Sequence, residues 1–388
     1  MKILHTIPYI DTNSGGPVQV ATYLTDFLSQ IPISVTLLSQ TSKSLDIFPP
    51  SSNSQVLRKV GYSNNKLANT LGLPTYIQLQ KLIDSWFPDL IHIHGLWHLA
   101  SHWSSHVAIK NSIPFVFHTH GMLDTWSRQH RQCKKKVGLW LYQNKNLKYA
   151  NLFFATAPKE AENIRKFGLR QPIAVIPNGI FMPSNIPNIS LHIPDAERRI
   201  RRILFLGRIH PIKGLINLLE AWALVKPLDY KLTIAGPNEA NYLQKILLKI
   251  QQLRLQGSVE VIGSVEGDAK HKLFCEATLL ILPSFTENFG VVVTEALSYG
   301  IPVITTTGTP WSDLLDYGCG WWVAPTVEAL TEALQEATSL APQDLQAMGQ
   351  KGREYVKRYD WNVIAEDTFA VYRWILNKGT KPNYVILE

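Results

Sequence analysis

The sequence has little cysteine and no long apolar run. Its 388 residues include 3 Cys, at Cys133, Cys275 and Cys319. An odd number of widely separated cysteines argues against a disulfide framework and is typical of a reducing compartment. No stretch reaches the roughly 18 consecutive apolar residues that a membrane-spanning helix needs. The apolar run that starts at Met1 is short and has no small-residue cleavage site after it, so we expect no signal peptide and a cytoplasmic protein.

Charged residues are also scarce. They make up 18% of the chain, whereas hydrophobic residues make up 45% and include 11 Trp, 14 Tyr and 14 Phe. This composition excludes disorder over most of the length, because there is ample apolar surface for packed cores. A chain of this length is too long for one ordinary domain and predicts two domains of about 150–200 residues each.

The net charge of +8 is unevenly distributed. Residues 1–180 hold 18 Lys and Arg against 8 Asp and Glu, and the remainder of the chain is slightly acidic. Much of the excess lies in residues 128–148, where basic residues alternate with aromatic and aliphatic ones. Such a segment suits an anionic membrane surface or a phosphorylated acceptor, although a solvated basic helix face is an equal alternative. No recognition motif accompanies the charge, so we expect no nucleic-acid partner.

Short apolar runs alternate with helical patterns along the whole chain, which is typical of parallel α/β architecture. The expected strands are residues 2–7, 34–38, 90–94, 115–118, 152–155, 174–176, 203–206, 231–235, 259–262, 279–282, 302–305 and 322–324. They predict two Rossmann-like, doubly wound parallel-sheet domains, over residues 1–185 and 186–360, joined by a Pro- and Asn-rich linker at about 181–200. Ligands of such domains bind at the carboxyl ends of the strands, so we expect the two domains to face a cleft.

Two glycines follow the first strand. Gly15 and Gly16 precede Pro17 and a helix expected from about residue 18 to 30. Adjacent glycines let backbone amides approach an anion closely at a helix start, but a tight structural connection is the more common reason for such a turn. The spaced dinucleotide fingerprint is not matched, because its third glycine is missing.

The corresponding place in the second half carries two cations. The strand at 203–206 leads into a loop that contains Arg208 and Lys213. A guanidinium and an ammonium at the carboxyl end of a strand can bind a diphosphate and stabilise it as a leaving group. The alternative is two solvated basic residues in a loop.

A third constellation spans residues 283–296. Here a strand ends, Glu287 lies in the turn, Asn288 can cap, and a helix is expected to begin near Phe289. The free amides of the first turn would point at a phosphate or a sugar hydroxyl. Glu295 lies further along this largely apolar helix, where a buried carboxylate needs hydrogen-bond donors such as a ribose diol.

The chain resembles the retaining glycosyltransferases of family 4, which have the GT-B fold, over almost all of its length. The likeness rests on the glycine pair, on the turn at residues 176–179, on Arg208 with Lys213, and on Glu287 and Glu295 spaced by seven residues. In that family the basic pair binds the donor diphosphate, the first glutamate and the amides after it contact the donor sugar, and the second glutamate binds the ribose. The resemblance therefore implies a site made of Gly15, Gly16, Arg208, Lys213, Glu287, Phe289, Gly290, Val291 and Glu295.

The family also uses a histidine on the donor sugar, and two histidines compete for that role. His120 precedes a glycine, as the family histidine does, and His118 is the second choice. The family's Asp after the Asn-Gly turn is replaced here by Ile180-Phe181. Motifs such as residues 121–126 and 320–323 resemble members that build bacterial exopolysaccharides.

A rival use of histidine is metal binding. His94, His98, His102 and His106 recur every four residues, which would place them on one face of a helix. No carboxylate lies near them to complete a site, and the sequence contains no Asp-x-Asp clamp for a metal-bound diphosphate. We therefore expect no metal and no cofactor.

These features and the resemblance predict a metal-independent hexosyltransferase, and the resemblance implies that it retains the anomeric configuration. We expect it to transfer a sugar, most plausibly glucose from UDP-glucose, to a glycan or lipid-linked saccharide in polysaccharide synthesis, with peripheral contact at the inner membrane face. The alternatives are a nucleotide-sugar epimerase on the same fold and a catalytically inert glycan- or nucleotide-binding partner. A C-terminal segment, residues 361–388, is expected to cross back to the first domain, as in the family.

Overall fold

The computed structural model describes residues 1–10, 16–41, 57–124, 132–183 and 200–387. The chain divides into two compact units, one formed by Met1–Gly179 with Trp361–Glu388 and the other by Ile180–Asp360. The first unit thus ends at Gly179, six residues before the expected boundary. Most of the expected linker, residues 184–199, lies outside the described residues, as do Gly15 and residues 125–131.

The strands alternate with helices along the chain, as parallel α/β architecture requires. They are β1 (Lys2–Tyr9), β2 (Ser34–Thr41), β3 (Leu57–Tyr62), β4 (Leu90–His94), β5 (Phe115–His118), β6 (Leu152–Ala155), β7 (Ile173–Val175), β8 (Arg201–Leu206), β9 (Tyr230–Ala235), β10 (Val259–Gly263), β11 (Ala277–Leu282), β12 (Val303–Thr306), β13 (Gly320–Val323) and β14 (Val385–Ile386).

The α-helices of the first unit are α1 (Gly16–Leu28), α2 (Lys66–Thr70), α3 (Leu73–Ser85), α4 (Leu99–Lys110), α5 (Gln132–Gly138), α6 (Asn144–Tyr149) and α7 (Pro158–Lys166). A π-helical stretch, Leu139–Gln143, joins α5 to α6. The second unit contributes α8 (Leu215–Val225), α9 (Leu243–Gln252), α10 (Gly267–Glu276), α11 (Val291–Ser298), α12 (Asp313–Asp316), α13 (Val327–Ser339) and α14 (Pro342–Val356). The last helix, α15 (Trp361–Ile375), returns to the first unit.

Each unit is built on one doubly wound sheet. The first sheet has the order β14-β7-β6-β5-β4-β1-β2-β3, with all pairs parallel except β14 with β7. The second has the order β10-β9-β8-β11-β12-β13 and is entirely parallel. The order reverses between β1 and β4 in the first sheet and between β8 and β11 in the second. Such switch points leave a crevice at the carboxyl ends of the two strands, where ligands bind.

The twelve expected strands are all present, and nine of them have an end that differs from the expectation by one to three residues. Strands β4, β5 and β6 have the expected bounds, and each is a fully buried run. The expectation lacked β3 and β14. β3 is an edge strand in which Arg58 forms an ion pair with Asp26 at 3.3 Å, and β14 has two residues.

Among the described residues, no helix combines the length and apolar character that crossing a bilayer requires.

The glycine of the turn at residues 176–179 packs against the start of α15. A Cβ atom at Gly179 would overlap the indole ring of Trp361. This ring is buried and stacks on the ring of Phe27, with the two centroids 6.2 Å apart. The residue can therefore only be glycine if Trp361 keeps its place.

We expect Gly179→Ala to lower the free energy of unfolding by about 2 kcal/mol, because overpacking a buried site forces neighbouring side chains apart. Urea denaturation measures this. The matched control is Gly257→Ala, since a Cβ atom at Gly257 would meet no atom within 4 Å. Equal stability of the two variants would contradict the close packing of Trp361.

Candidate functional site

The loop after β8 is shaped by a glycine in the left-handed region. Residues Pro211–Lys213 form a short 3-10 turn, which His210 caps by accepting a hydrogen bond from the Ile212 amide at 3.2 Å. Gly214 follows with φ of 66°, and a Cβ atom there would overlap the Pro283 carbonyl at the end of β11. Only glycine lets the two loops approach this closely.

This approach brings Lys213 and Glu287 into contact. The Lys213 ammonium forms an ion pair and hydrogen bond with Glu287 Oε1, and the Ser284 hydroxyl donates to the same oxygen at 2.7 Å. The two charged side chains are only 11% and 13% exposed. A largely buried pair of this kind is costly to desolvate, so each charge depends on its partner.

The backbone around Glu287 is held by two hydrogen bonds and by the close approach of a glycine. The Glu287 amide donates to the Gly308 carbonyl at 2.9 Å, and the Phe285 amide donates to the Ile212 carbonyl at 2.9 Å. A Cβ atom at Gly308 would overlap the Phe285 carbonyl. The turn that carries the glutamate is therefore fixed to the loop that carries Lys213.

The helix after this turn begins later than expected. α11 starts at Val291, and its N-cap is Gly290 with φ of 80° rather than Asn288. Phe289 precedes the helix, with a buried ring and a carbonyl that accepts from the Trp311 indole at 2.6 Å. Phe289 can therefore offer a ligand its backbone only. In the first turn of α11 the Val293 amide donates to the Gly290 carbonyl at 2.9 Å, which leaves the amides of Val291 and Val292 to face a ligand. The positive end of the helix dipole lies beside Glu287.

Two other predicted ligand-binding residues are held by partners that the sequence reasoning did not find. Arg208 donates to Glu239 at 2.7 Å in an ion pair that is about half exposed. Glu295 accepts from Lys270 of α10 at 2.6 Å and is half-buried, so the expectation of a carboxylate enclosed by apolar neighbours is wrong. Glu239 follows β9, the neighbour of β8, so its pairing with Arg208 depends on the strand order of the sheet, which the sequence analysis did not supply.

The remaining site residues lie in the first unit. Gly16 is the first residue of α1, and Gly15 lies outside the described residues. His120 follows β5 and has φ of 48°, in the left-handed region, and Gly121 follows with φ of 72°. A left-handed conformation is strained for a non-glycine residue and persists only where its surroundings hold it.

Glu160 holds this strained turn, and sequence reasoning missed it. Its carboxylate is buried and accepts from the Thr119 hydroxyl and the Gly121 amide, both at 2.5 Å. Its other oxygen accepts from the Thr156 amide at 2.7 Å and the Thr156 hydroxyl at 2.8 Å. A glutamate in the first turn of α7, just after β6, was the available signal.

The two competing histidines differ in exposure. His118 is buried, and neither of its ring nitrogens has a hydrogen-bond partner. Burial lowers the pKa of His118 to about 3. His120 stacks on it with ring centroids 3.9 Å apart and is half-buried, so it retains solvent-facing surface. Of the two, His120 is the one that a ligand can reach.

The four-residue histidine spacing does not form one helical face. His94 ends β4, His98 is the N-cap of α4, and only His102 and His106 lie within that helix. The expected periodicity thus spans a strand, a loop and a helix. His102 Nδ1 instead lies 3.2 Å from the Asn146 side chain.

We expect Glu160→Gln to lower the free energy of unfolding by about 2–3 kcal/mol, because an amide NH2 would face hydrogen-bond donors in a buried site. Chemical denaturation measures the change. The control is Glu162→Gln on the same helix, where the side chain is 64% exposed. If the two variants are equally stable, Glu160 does not hold the His120 turn.

Comparisons with known proteins match both units. The family described as Glycosyltransferase Family 4 matches residues 14–181, and the family described as Glycosyl transferases group 1 matches residues 195–355. The chain spans about half the length of the first curated relatives that it matches. A longer match is to a GDP-mannose:cellobiosyl-diphosphopolyprenol alpha-mannosyltransferase of Xanthomonas oryzae, 27% identical over 71% of each chain.

Solved structures match over nearly the whole chain. A sucrose-phosphate synthase from Thermosynechococcus elongatus has a TM-score of 0.75 at 20% identity, covering 97% of this chain and 99% of that one. Anabaena Alr3699/HepE in complex with UDP and glucose has a TM-score of 0.73 at 17% identity, covering 96% of this chain and 100% of that one. At these identities the likeness establishes the fold.

Proposed function

The chain belongs to the family 4-like glycosyltransferases of the GT-B fold, and on that premise we propose that it transfers a hexose from a UDP-sugar with retention of configuration. The observation that carries the proposal is the Lys213–Glu287 pair between the carboxyl ends of β8 and β11, beside the start of α11. This is the switch point of a doubly wound sheet, and it combines a buried cation with free helix amides.

In the proposed reaction the donor diphosphate lies against Lys213, Arg208 and the first amides of α11. These groups stabilise the negative charge that develops as the bond between the sugar C1 and the phosphate oxygen breaks. The acceptor hydroxyl attacks C1 from the same face and gives its proton to the departing phosphate oxygen. Because the protein's own cations and amides carry this charge, we propose that transfer needs no metal.

Arg208 and Glu295 would each exchange a protein partner for the donor. Arg208 would leave Glu239 for a phosphate, and Glu295 would leave Lys270 for the ribose diol. Glu287 would accept from donor-sugar hydroxyls while Lys213 turns to the diphosphate. The Arg208–Glu239 pair is about half exposed, so breaking it costs little. The Glu295–Lys270 pair is half-buried, and the ribose hydroxyls would replace the hydrogen bond that Glu295 loses.

The donor is proposed to be UDP-glucose and the acceptor a glycan or lipid-linked saccharide in polysaccharide synthesis. Support for the donor comes from the similar fold of a protein that holds UDP and glucose. Support for a lipid-linked acceptor comes from the relative named for a diphosphopolyprenol acceptor, although that relative uses GDP-mannose. The nucleoside of the donor is therefore tested first.

We expect the purified protein, with chelator present, to release nucleoside diphosphate slowly from one donor when UDP-, GDP- and ADP-sugars are compared by mass spectrometry. Lys213→Ala should lower this turnover about 10²–10³-fold, the usual loss on removing one charge-stabilising contact. The control is Lys272→Ala, a 75% exposed lysine of the same unit. Near-normal turnover in a folded Lys213→Ala protein would refute the site.

We also propose that the helical run at residues 132–149 contacts an anionic membrane at its cytoplasmic face. Trp140 is 81% exposed and Leu141 and Val137 are exposed beside it. Lys136, Lys145 and Lys148 are exposed along the same run. Exposed apolar side chains flanked by lysines fit the interface of a bilayer that carries anionic lipids.

The protein should co-sediment with vesicles that contain phosphatidylserine and be released as salt is raised, because salt screens the lysine contacts. Trp140→Ser should weaken this binding several-fold. Leu67→Ser is the control, since Leu67 is an exposed leucine on α2. No binding to anionic vesicles at low salt would contradict the proposal.

A further inference from the structure

Five histidines and one tyrosine form a buried cluster inside the first unit. His5 lies on β1, His92 and His94 on β4, and His118 on β5, which are adjacent strands of one sheet. Tyr372 reaches them from α15 and is fully buried. The cluster ends at His120, the histidine that a ligand can reach.

Three hydrogen bonds connect Tyr372 to His120 in an unbroken line. The Tyr372 hydroxyl lies 3.2 Å from His5 Nε2. His5 Nδ1 lies 3.0 Å from His94 Nε2, and His94 Nδ1 lies 3.1 Å from His120 Nε2. We call these four residues the histidine line. The two inner imidazoles, His5 and His94, each use both ring nitrogens.

A neutral imidazole has one N–H donor and one acceptor nitrogen. Every bond in the histidine line must therefore point the same way, either toward His120 or away from it. Burial lowers the pKa of His5 to about 3 and holds the pKa of His94 well below its usual value, so both rings are neutral near pH 7. The direction of the line then decides which nitrogen of His120 carries the proton.

A second contact of Tyr372 sets the direction. Its hydroxyl lies 2.6 Å from His92 Nδ1, a length typical of an O–H donor, whereas the 3.2 Å contact with His5 is typical of an N–H donor. The phenol thus donates to His92 and accepts from His5 Nε2. It follows that His94 Nε2 donates to His5, and that His120 Nε2 donates to His94. The Nδ1 atom of His120 is left as an acceptor.

The same rings are poorly placed to share a metal ion. His92 and His94 are parallel within 4° at 4.5 Å between centroids, and His118 and His120 are parallel within 8° at 3.9 Å. Lone pairs lie in the ring plane, so parallel stacked rings do not aim them at one point. The nitrogen-to-nitrogen distances along the line are those of hydrogen bonds.

We propose that Tyr372, His5, His94 and His92 are positioning residues that hold His120 in the tautomer with a bare Nδ1, ready to accept a hydrogen bond from a hydroxyl of the donor sugar. The inference rests on the proposed function for the identity of that ligand. The tautomer itself is a property of the free protein. Through Tyr372, helix α15 thereby sets the tautomer of His120, which lies between β5 and β6.

His92→Phe is the sharpest test, because it removes the acceptor of the phenol proton and keeps an aromatic ring at this position. The hydroxyl can then donate only to His5, which reverses every bond of the histidine line and moves the His120 proton to Nδ1. Nitrogen-15 NMR of histidine-labelled protein distinguishes protonated from bare ring nitrogens, and His120→Gln assigns the signal. Tyr372→Phe is the second variant, and it should shift the His120 proton away from Nε2.

We expect wild type to show His120 with Nε2–H, and His92→Phe to show Nδ1–H. Turnover in His92→Phe should fall about tenfold, the effect of one misplaced hydrogen bond, with donor KM changed less than twofold. Tyr384→Phe is the control, because the hydroxyl of this tyrosine in the same C-terminal segment donates to the Asp367 carbonyl at 2.9 Å and takes no part in the histidine line. It should change neither the tautomer nor turnover.

The outcomes separate the two proposals. A wild-type His120 with Nδ1–H, or an unchanged tautomer in both His92→Phe and Tyr372→Phe, overturns the histidine line. Reversal of the tautomer with normal turnover overturns its role in transfer. If the wild-type protein turns over no nucleotide-sugar, the proposed function is wrong. The NMR comparison of the wild-type protein with His92→Phe still tests the direction of the histidine line.

Discussion

The parallel pairing of β8 with β11 is the constraint on which the second unit depends. These strands are distant in sequence but adjacent in the sheet, so their carboxyl ends deliver Lys213 and Glu287 to one place. Opposite charges that are nearly buried stabilise each other only at short range, and loss of either leaves the other without compensation. Gly214 lets the loop after β8 approach the Pro283 carbonyl, and Gly308 lets the loop after β12 approach the Phe285 carbonyl. Both close approaches support the Lys213–Glu287 contact.

The first unit solves a similar problem with hydrogen bonds to one carboxylate. Glu160 takes four donors from two separate segments and thereby holds a histidine in a strained backbone conformation. The hydrogen bonds that Thr119 and Gly121 donate to Glu160 offset the backbone strain at His120, so the left-handed conformation does not depend on the His120 side chain. In the first unit the turn that carries His120 is therefore held by a carboxylate from another segment, whereas in the second unit Lys213 and Glu287 hold each other.

Much of the fold follows from the sequence because the central strands are uninterrupted apolar runs. Strand ends that carry Arg208, Lys213 and Glu287 could be found in the same way. Glu239, the partner of Arg208, and Lys270, the partner of Glu295, could not be found in this way, because those pairings depend on which strands and helices become neighbours. The four-residue spacing from His94 to His106 also predicted the wrong arrangement, one helical face. A regular spacing does not show that the strand of His94 ends before the helix of His102 begins.

The first unit is discontinuous in sequence, and this has a consequence for its synthesis. Val385 of β14 pairs with Ala174 of β7, and α15 packs on α1, so this unit lacks part of its sheet and core until residues 361–386 have been made. The second unit is one continuous stretch, Ile180–Asp360, and is complete earlier. On the ribosome the part of the chain that is made first is therefore the last to finish folding.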